Sequence, residues 1–144
     1  MGRPRVVLDT NILVAAARSS LGASFKLLSL VGTGRFDITI SVPLVLEYED
    51  ALMRQLETRA LEMDEIAVED LLDYLCVVGV RQDIFFLWRP LMPDPADDLI
   101  LEAAVAGRCD AIVTFNRRHF AGIDRFGLRA LQPKEFLREI GDLP

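Results

Sequence analysis

The chain has 144 residues, of which 51% are hydrophobic and 26% charged, and its formal net charge at pH 7 is −6. This length and composition exclude a disordered or fibrous chain and predict one globular domain over residues 1–144. Arg3 and Arg5 are followed by only three apolar residues before Asp9. Because this run is too short for a signal peptide or a membrane span, we expect a cytosolic protein.

The negative charge is concentrated in one region. Between Glu47 and Asp73 the sequence has ten acids and two bases, whereas the remainder has twelve acids and fourteen bases. An acidic total usually argues against a nucleic-acid partner. Acids that hold divalent cations would nevertheless present positive charge to a phosphate, so a phosphodiester substrate stays compatible with this composition.

The first half of the chain is predicted to alternate between strands and helices. Ser24 and Ser41 are the predicted N-caps of two helices, and Asp64 begins another that ends at Gly79. The buried stripe of that last helix is predicted at Leu61, Leu71, Leu72, Leu75 and Val78. Strands are predicted at Val6–Leu8 and Phe36–Ile40, and helices at Ile12–Ala17, Ser24–Val31, Ser41–Leu56 and Asp64–Val78.

The second half continues this alternation. Strands are predicted at Asp83–Trp88, Ala111–Phe115 and Leu128–Leu131, and helices run from Asp94–Asp98 to Ala106 and from Pro133 to Ile140. Strands that alternate with helices predict an α/β fold with a mostly parallel central sheet flanked by helices on both faces. Cys76 and Cys109 lie in apolar stretches and are expected to be reduced and buried. Core or interface positions are predicted for Phe85, Phe86 and Trp88, and a packing or hydrogen-bonding role for His119.

Polar side chains follow two of the predicted strands. Asp9 and Asn116 each come directly after an apolar strand, and parallel strands place their carboxyl ends at one edge of a sheet. Asp98 opens a helix that connects to the same edge, and Glu47 lies on the flank of an apolar helix face. Carboxylate and amide oxygens suit Mg²⁺. Each of these residues taken alone is also typical of an ordinary cap, turn or solvated helix position.

The combination resembles the PIN-domain nucleases, especially the toxin components of bacterial and archaeal toxin–antitoxin pairs, over nearly the whole chain. The opening strand is similar to the family's first-strand motif, which carries an aspartate. Later segments are similar to the family's glutamate segment, to the segment with its third acid, to its Asp/Asn position and to its C-terminal segment. The segments that carry the resemblance are Val6-Val7-Leu8-Asp9-Thr10-Asn11, Pro43-Leu44-Val45-Leu46-Glu47-Tyr48, Asp94-Pro95-Ala96-Asp97-Asp98-Leu99-Ile100-Leu101-Glu102-Ala103-Ala104, Thr114-Phe115-Asn116 with Arg117-Arg118-His119-Phe120, and Gln132-Pro133-Lys134-Glu135-Phe136-Leu137.

The resemblance implies a single PIN-like domain and an endoribonuclease dependent on Mg²⁺ or Mn²⁺. It implies catalytic and metal-binding roles for Asp9, Glu47, Asp98 and Asn116. Asp94 and Asp97 are alternatives that share or replace the role of Asp98. It further implies an RNA substrate, an antitoxin protein as partner, and a homodimer. Thr10 and Asn11 are candidates to orient Asp9 or to contact phosphate, and Arg117 and Arg118 to contact the RNA backbone.

Two other function classes stay open. The first is a catalytically weak binding module, for which the acidic helices between Glu47 and Val78 would provide a surface. The second is an aspartate-based phosphatase, which would also begin with a strand that ends in an aspartate. Such enzymes generally need a second acid two residues later, where this sequence has Asn11, so the phosphatase is the weaker alternative.

Overall fold

The computed structural model describes residues 2–84, 92 and 94–143, and within these residues five strands alternate with six α-helices. Two short 3₁₀ helices at Arg117–Phe120 and Ile123–Phe126 separate the last two strands. The strands are β1 (Arg5–Leu8), β2 (Asp37–Ile40), β3 (Val80–Arg81), β4 (Ala111–Val113) and β5 (Arg129–Leu131). The helices are α1 (Thr10–Arg18), α2 (Ala23–Leu30), α3 (Val42–Glu57), α4 (Glu65–Val78), α5 (Pro95–Ala106) and α6 (Pro133–Glu139).

The strands form one parallel sheet in the order β3-β2-β1-β4-β5. Consecutive residues of a strand point to opposite faces of the sheet. All three residues Val6, Val7 and Leu8 of the central strand are buried, so both faces of the sheet are covered. The predicted α/β fold with a parallel sheet and helices on both faces is therefore confirmed.

The direction in which the chain adds strands reverses between β3 and β4. The first three strands extend from β1 towards one edge, and the chain then returns through α5 to place β4 on the other side of β1. Right-handed crossovers at such a reversal put helices on opposite faces. Ligands of open α/β sheets bind at this reversal, outside the carboxyl ends of the strands. Here that position lies beyond Leu8 of β1 and Val113 of β4.

Local sequence signals explain most helix boundaries. Ser41 caps α3, since its hydroxyl accepts a hydrogen bond from the Leu44 amide at 3.3 Å, and Asp64 caps α4 by accepting one from Ala67 at 2.8 Å. The predicted cap at Ser24 is wrong, because Gly22 is the N-cap of α2 and Ser24 lies inside the first turn. The stripe of α4 is only partly as predicted: Leu72 and Leu75 are buried together with Val68, whereas Leu61, Leu71 and Val78 are partly buried.

Other predictions are corrected in detail. The third strand lies at Val80–Arg81, and Asp83 and Ile84 are not in a strand. The rest of the predicted 83–88 strand, with Phe85, Phe86 and Trp88, lies outside the described residues. Both cysteines are free, but only Cys109 is buried, whereas Cys76 is exposed on α4.

No single helix in the described ranges is long and apolar enough to cross a membrane, although α1 and α2 together meet a length and composition test as a pair bent by 107°.

Candidate functional site

Asp9 and Thr114 join the carboxyl ends of the two central strands. The Asp9 amide donates to the Val113 carbonyl at 2.9 Å, which continues the pairing of β1 with β4 by one residue. The Thr114 hydroxyl donates to Oδ2 of Asp9 at 2.7 Å. Asp9 is only 7% exposed and makes no capping hydrogen bond to α1, at whose N-cap position it stands. The carboxylate is thus held at the strand reversal by a neighbouring strand end.

Glu47 is placed by the residue that follows it. Tyr48 is buried, and its hydroxyl donates a hydrogen bond to the carbonyl of Leu8, the last residue of β1. This bond fixes α3 to the strand that carries Asp9. Glu47 itself is partly exposed on α3. A tyrosine one position beyond the predicted acid therefore positions that acid near the same strand end.

The three acids at the start of α5 have different environments. Asp94 is exposed and caps the helix by accepting a hydrogen bond from the Ala96 amide at 2.9 Å. Asp97 is 7% exposed, and its Oδ2 lies 3.3 Å from Nδ1 of His119. Asp98 is 2% exposed, and its Oδ1 accepts a hydrogen bond from the Met92 amide at 3.0 Å.

Burial and neighbouring charges raise the pKa values of three of the acids. Burial raises the pKa of Asp9, and the charge of Asp94 raises it further while the bond from Thr114 opposes the rise. Burial also raises the pKa of Glu47; the charge of Arg54 opposes this rise, and the charges of Asp50, Asp94 and Asp9 add to it. The pKa of Asp97 is raised to about 6 by burial, then by the charges of Asp9 and Asp94.

A carboxylate whose charge raises the pKa of another acid must lie near that acid. Asp94 has this effect on Asp9, Glu47 and Asp97, and Asp9 has it on Glu47 and Asp97. Asp9, Glu47, Asp94 and Asp97 come from three separate segments of the chain, and we call them the acid cluster.

His119 and Asn116 border the acid cluster. The His119 side chain is 53% exposed and contacts Asp97, so it forms the predicted hydrogen-bonding contact rather than packing in the core. Asn116 is exposed, and its backbone amide donates to the Thr114 hydroxyl at 2.9 Å. Thr114 thus links the backbone at Asn116 to the carboxylate of Asp9. β4 ends at Val113, so Thr114 and Phe115 lie beyond the strand that was predicted to include them.

The carboxylate oxygens of the acid cluster are suitable ligands for a hard cation. Carboxylate oxygens are the ligands that Mg²⁺ and Mn²⁺ prefer, and a bound cation would relieve the mutual repulsion of the acids. Within residues 2–84, 92 and 94–143, no three His, Cys, Asp or Glu side chains already stand in an arrangement that holds an ion. Binding therefore requires the carboxylates to turn towards one another, and partly exposed Glu47 has the space to do so.

Sequence reasoning missed two supporting residues. Thr114 and Tyr48 were recognised only as parts of motifs, although their hydroxyls bond to Asp9 and to the end of β1. A hydroxyl-bearing residue one position beyond a buried strand or next to a candidate acid is the signal that would have found them. Asn11, a candidate partner of Asp9, instead has a buried Oδ1 with no hydrogen-bond partner in the described part of the chain.

Comparisons with known proteins agree with the fold. A family profile described as the PIN domain matches residues 5–118. Curated proteins show no significant sequence match to this chain. The solved structure of VapBC2 from Rickettsia felis bound to a DNA fragment from its promoter contains a chain similar to this one, with 18% identity and a TM-score of 0.58 over 89% of this chain and 98% of that chain. At this identity the likeness concerns the fold.

Because the profile match covers most of the sequence, including Asp9, Glu47 and the acids of α5, this chain belongs to the PIN-domain family.

Proposed function

We propose that this protein is an endoribonuclease that depends on Mg²⁺ or Mn²⁺ and acts as the toxin of a toxin–antitoxin pair. The observation that carries the proposal is the acid cluster. Asp9, Glu47, Asp94 and Asp97 converge from three segments on the strand reversal, where burial raises the pKa values of Asp9, Glu47 and Asp97 and the charge of Asp94 raises each of them further. Holding these acids ionised costs stability unless a cation offsets it.

Each residue of the site has a separate task in this proposal. Asp9 and Glu47 would hold the cation, and Thr114 and Tyr48 hold these two acids in place. Mg²⁺ or Mn²⁺, when bound, would supply positive charge beside the scissile phosphate and would favour ionisation of the attacking water. His119 orients Asp97 through its Nδ1 atom.

The third acid is proposed to be Asp97. It interacts electrostatically with Asp9 and contacts His119, whereas Asp98 accepts a hydrogen bond from the Met92 amide. The sequence-based assignment to Asp98 stays a prediction, as does the role of Asn116. Comparison of Asp97→Asn with Asp98→Asn separates the two candidates for the third acid.

The toxin role rests on the family and on the VapBC2 likeness. That structure is described as VapBC2 bound to a DNA fragment from its promoter. We carry over to this chain an antitoxin protein as partner and a homodimer as the assembled form. Co-expression with the gene product encoded next to it, followed by co-purification, tests the partner, and light scattering of the purified protein tests the dimer.

The nuclease is tested with the purified chain on structured and single-stranded RNAs, in Mg²⁺, in Mn²⁺ and in a chelator. We expect cleavage only with metal. We also expect Asp9→Asn and Asp97→Asn to lose more activity than the roughly 10- to 100-fold that loss of an outer-shell partner costs. Asp37→Asn removes an acid at the opposite end of the sheet, where Asp37 pairs with Arg3, and should leave cleavage unchanged.

Three other outcomes would overturn the proposal. Cleavage that needs no metal and survives both substitutions would come from a contaminant. Binding of a partner or of RNA without cleavage would identify a binding module. Release of phosphate from small phosphomonoesters, with no cut in RNA, would identify the phosphatase.

A further inference from the structure

Two adjoining cavities lie beside the acid cluster and share a wall formed by Phe115 and Gln132. The first, of about 300 Å³, is lined also by Asn116, Arg118 and His119, so it borders the cluster directly. The second, of about 410 Å³, lies between the α1–α2 turn and the start of α6 and is lined by Ser24 and Lys134. Both volumes fall in the range of roughly 300–1,000 Å³ that is usual for ligand pockets. We call the two cavities together the Phe115 groove.

Phe115 is the aromatic side chain in this groove. It is 43% exposed, although Val113 and Thr114 immediately before it are fully buried. The ring therefore leaves the core at the point where β4 has ended and separates the cavity at the acids from the cavity at α2. An exposed aromatic ring beside a nuclease site provides a surface on which a nucleobase can stack.

The far cavity has the features of an anion site. α2 begins at Ala23, and its N-cap residue Gly22 supplies no side-chain cap, so no capping side chain bonds to the amides of the first turn. Such a helix start favours an anion. Ser24 in that turn is 3% exposed, lines the cavity, and its hydroxyl has no hydrogen-bond partner among the described residues. The Lys134 side chain is exposed at the same cavity and makes no ion pair within the described ranges.

A buried hydroxyl without a partner costs stability unless a ligand bonds to it. The unpaired Ser24 hydroxyl is therefore an indication of a ligand that is independent of the helix terminus. A phosphate oxygen would accept hydrogen bonds from the hydroxyl and from the first-turn amides, and Lys134 would balance its charge. Apolar residues on the walls of the same cavity, such as Ala15 and Pro133, leave the remaining space suited to a base or sugar.

We propose that the Phe115 groove binds single-stranded RNA next to the scissile bond, with a base stacked on Phe115 and a flanking phosphate held by Ser24, the first turn of α2 and Lys134. The inference rests on the proposed nuclease function and adds to it a base-binding position at Phe115 and a phosphate-binding position at Ser24 and Lys134. Along the groove, the cation site is followed by the aromatic ring and then by the anion site. This order matches a phosphate, a base and the next phosphate of an unpaired strand. A base can reach the ring only when it is not paired, so duplex RNA is excluded from this groove.

Binding is measured in a chelator, so that the result does not depend on cleavage. The probe is a single-stranded oligoribonucleotide of about eight nucleotides that carries 2-aminopurine, whose fluorescence is quenched by stacking. We expect Phe115→Ala to weaken binding roughly 5- to 150-fold, as loss of one base–aromatic stack does, and to remove a quenching step that Phe115→Trp retains. Leu21→Ala, which truncates a 94% exposed side chain in the same turn region, is the matched control and should bind like wild type.

The phosphate contact has its own test. Lys134→Ala should reduce the slope of log affinity against log salt by about 0.7, whereas Arg3→Ala at the amino end of β1 should leave it unchanged. Ser24→Ala removes a hydroxyl that lacks a partner, so we expect unchanged or higher thermal stability together with weaker RNA binding. A purely structural role of Ser24 predicts no change in binding.

Metal-dependent cleavage is measured in parallel, so that failure of the groove and failure of the nuclease remain distinguishable. Wild-type cleavage with equal RNA binding by Phe115→Ala, Lys134→Ala and Leu21→Ala would overturn the groove and leave the nuclease standing. Binding that depends on Phe115 without any cleavage would support the groove and overturn the nuclease. Loss of antitoxin binding in Phe115→Ala, with RNA binding unchanged, would assign this surface to a protein and overturn the RNA proposal.

Discussion

Asp97 and Asp98 are neighbours in sequence, yet they face different surroundings. Consecutive residues of a helix point about 100° apart, so only one of two adjacent acids can face the end of β1. The rotation of α5 on the sheet decides which one, and that rotation is set by the packing of Ile100, Leu101 and Ala104 in the core. The sequence pattern predicts that an acid of this group belongs to the site. It does not determine the register, because both acids precede the same apolar run.

Replacement of Asp97 by Asn should change how stability depends on pH. A carboxyl pKa raised to about 6 means that the folded state binds a proton more tightly than the unfolded chain, so ionisation of this group opposes folding as the pH rises through that value. In a chelator, we expect Asp97→Asn to exceed wild type in free energy of unfolding at about pH 7.5, with a smaller excess at about pH 5. Urea denaturation at both pH values measures the difference, and an equal excess at both would contradict the prediction.

Tyr48 should contribute to stability through its hydroxyl. Tyr48→Phe keeps the ring but leaves the buried Leu8 carbonyl without this donor, which should cost about 1–3 kcal/mol. The control is Tyr74→Phe, which removes a comparable bond to the partly buried Val31 carbonyl and should cost about 0.5–1.5 kcal/mol. Chemical denaturation of both variants gives the comparison. A Tyr48→Phe protein as stable as wild type would show that the bond does not hold α3 to β1.

At the level of helices and strands, short-range signals account for most of what the sequence predicts. β1, α1, α3 and α6 follow from apolar periodicity together with Ser41, Pro43 and Pro133 at helix starts. The errors occur where tertiary packing overrides local preference. Ser24 has a good capping side chain, but the chain turns two residues earlier at Gly22, and Ser24 is buried against the core. The exposure of Cys76 depends likewise on which side of α4 faces α3.

The cap of α4 provides a test at this scale. Asp64→Ala removes the acceptor for the Ala67 amide and should lower the free energy of unfolding by about 0.5–2 kcal/mol. Asp64→Asn, which also caps helices well, should be close to wild type. Since α4 packs against α3, the loss should appear in global unfolding of the chain. Equal stability of the Ala and Asn variants would mean that the cap contributes nothing measurable.

For the molecule as a whole, the main electrostatic feature is the acid cluster at the carboxyl ends of the central strands. Burial, together with the charges of neighbouring acids, raises three pKa values there, so ionisation of these acids costs more in the folded chain than in the unfolded chain. A protein that keeps such a site gives up stability at the position where it acts. Part of that loss should return when a cation binds.

Divalent cations should therefore raise the melting temperature. A ligand at 100 times its dissociation constant that binds only the folded state adds about 2.7 kcal/mol, and each kcal/mol corresponds to roughly 2–4 °C for chains of about this size. We expect Mn²⁺ to raise the melting temperature of wild type by several degrees, and Asp9→Asn to lose most of this rise. Asp37→Asn should respond like wild type. A rise of the same size in all three proteins would indicate binding elsewhere.

The pairing of β1 with β4 also governs when the surroundings of Asp9 can be completed during synthesis. The Thr114 hydroxyl and the Asp9 carboxylate that it bonds are 105 positions apart, and chains emerge from the ribosome with the N-terminus first. A nascent chain that has exposed Asp9 and Glu47 still lacks the strand that completes the sheet beside them. On the proposed function, a ribonuclease made in this order would lack the Thr114 support of Asp9 until its last third has been translated.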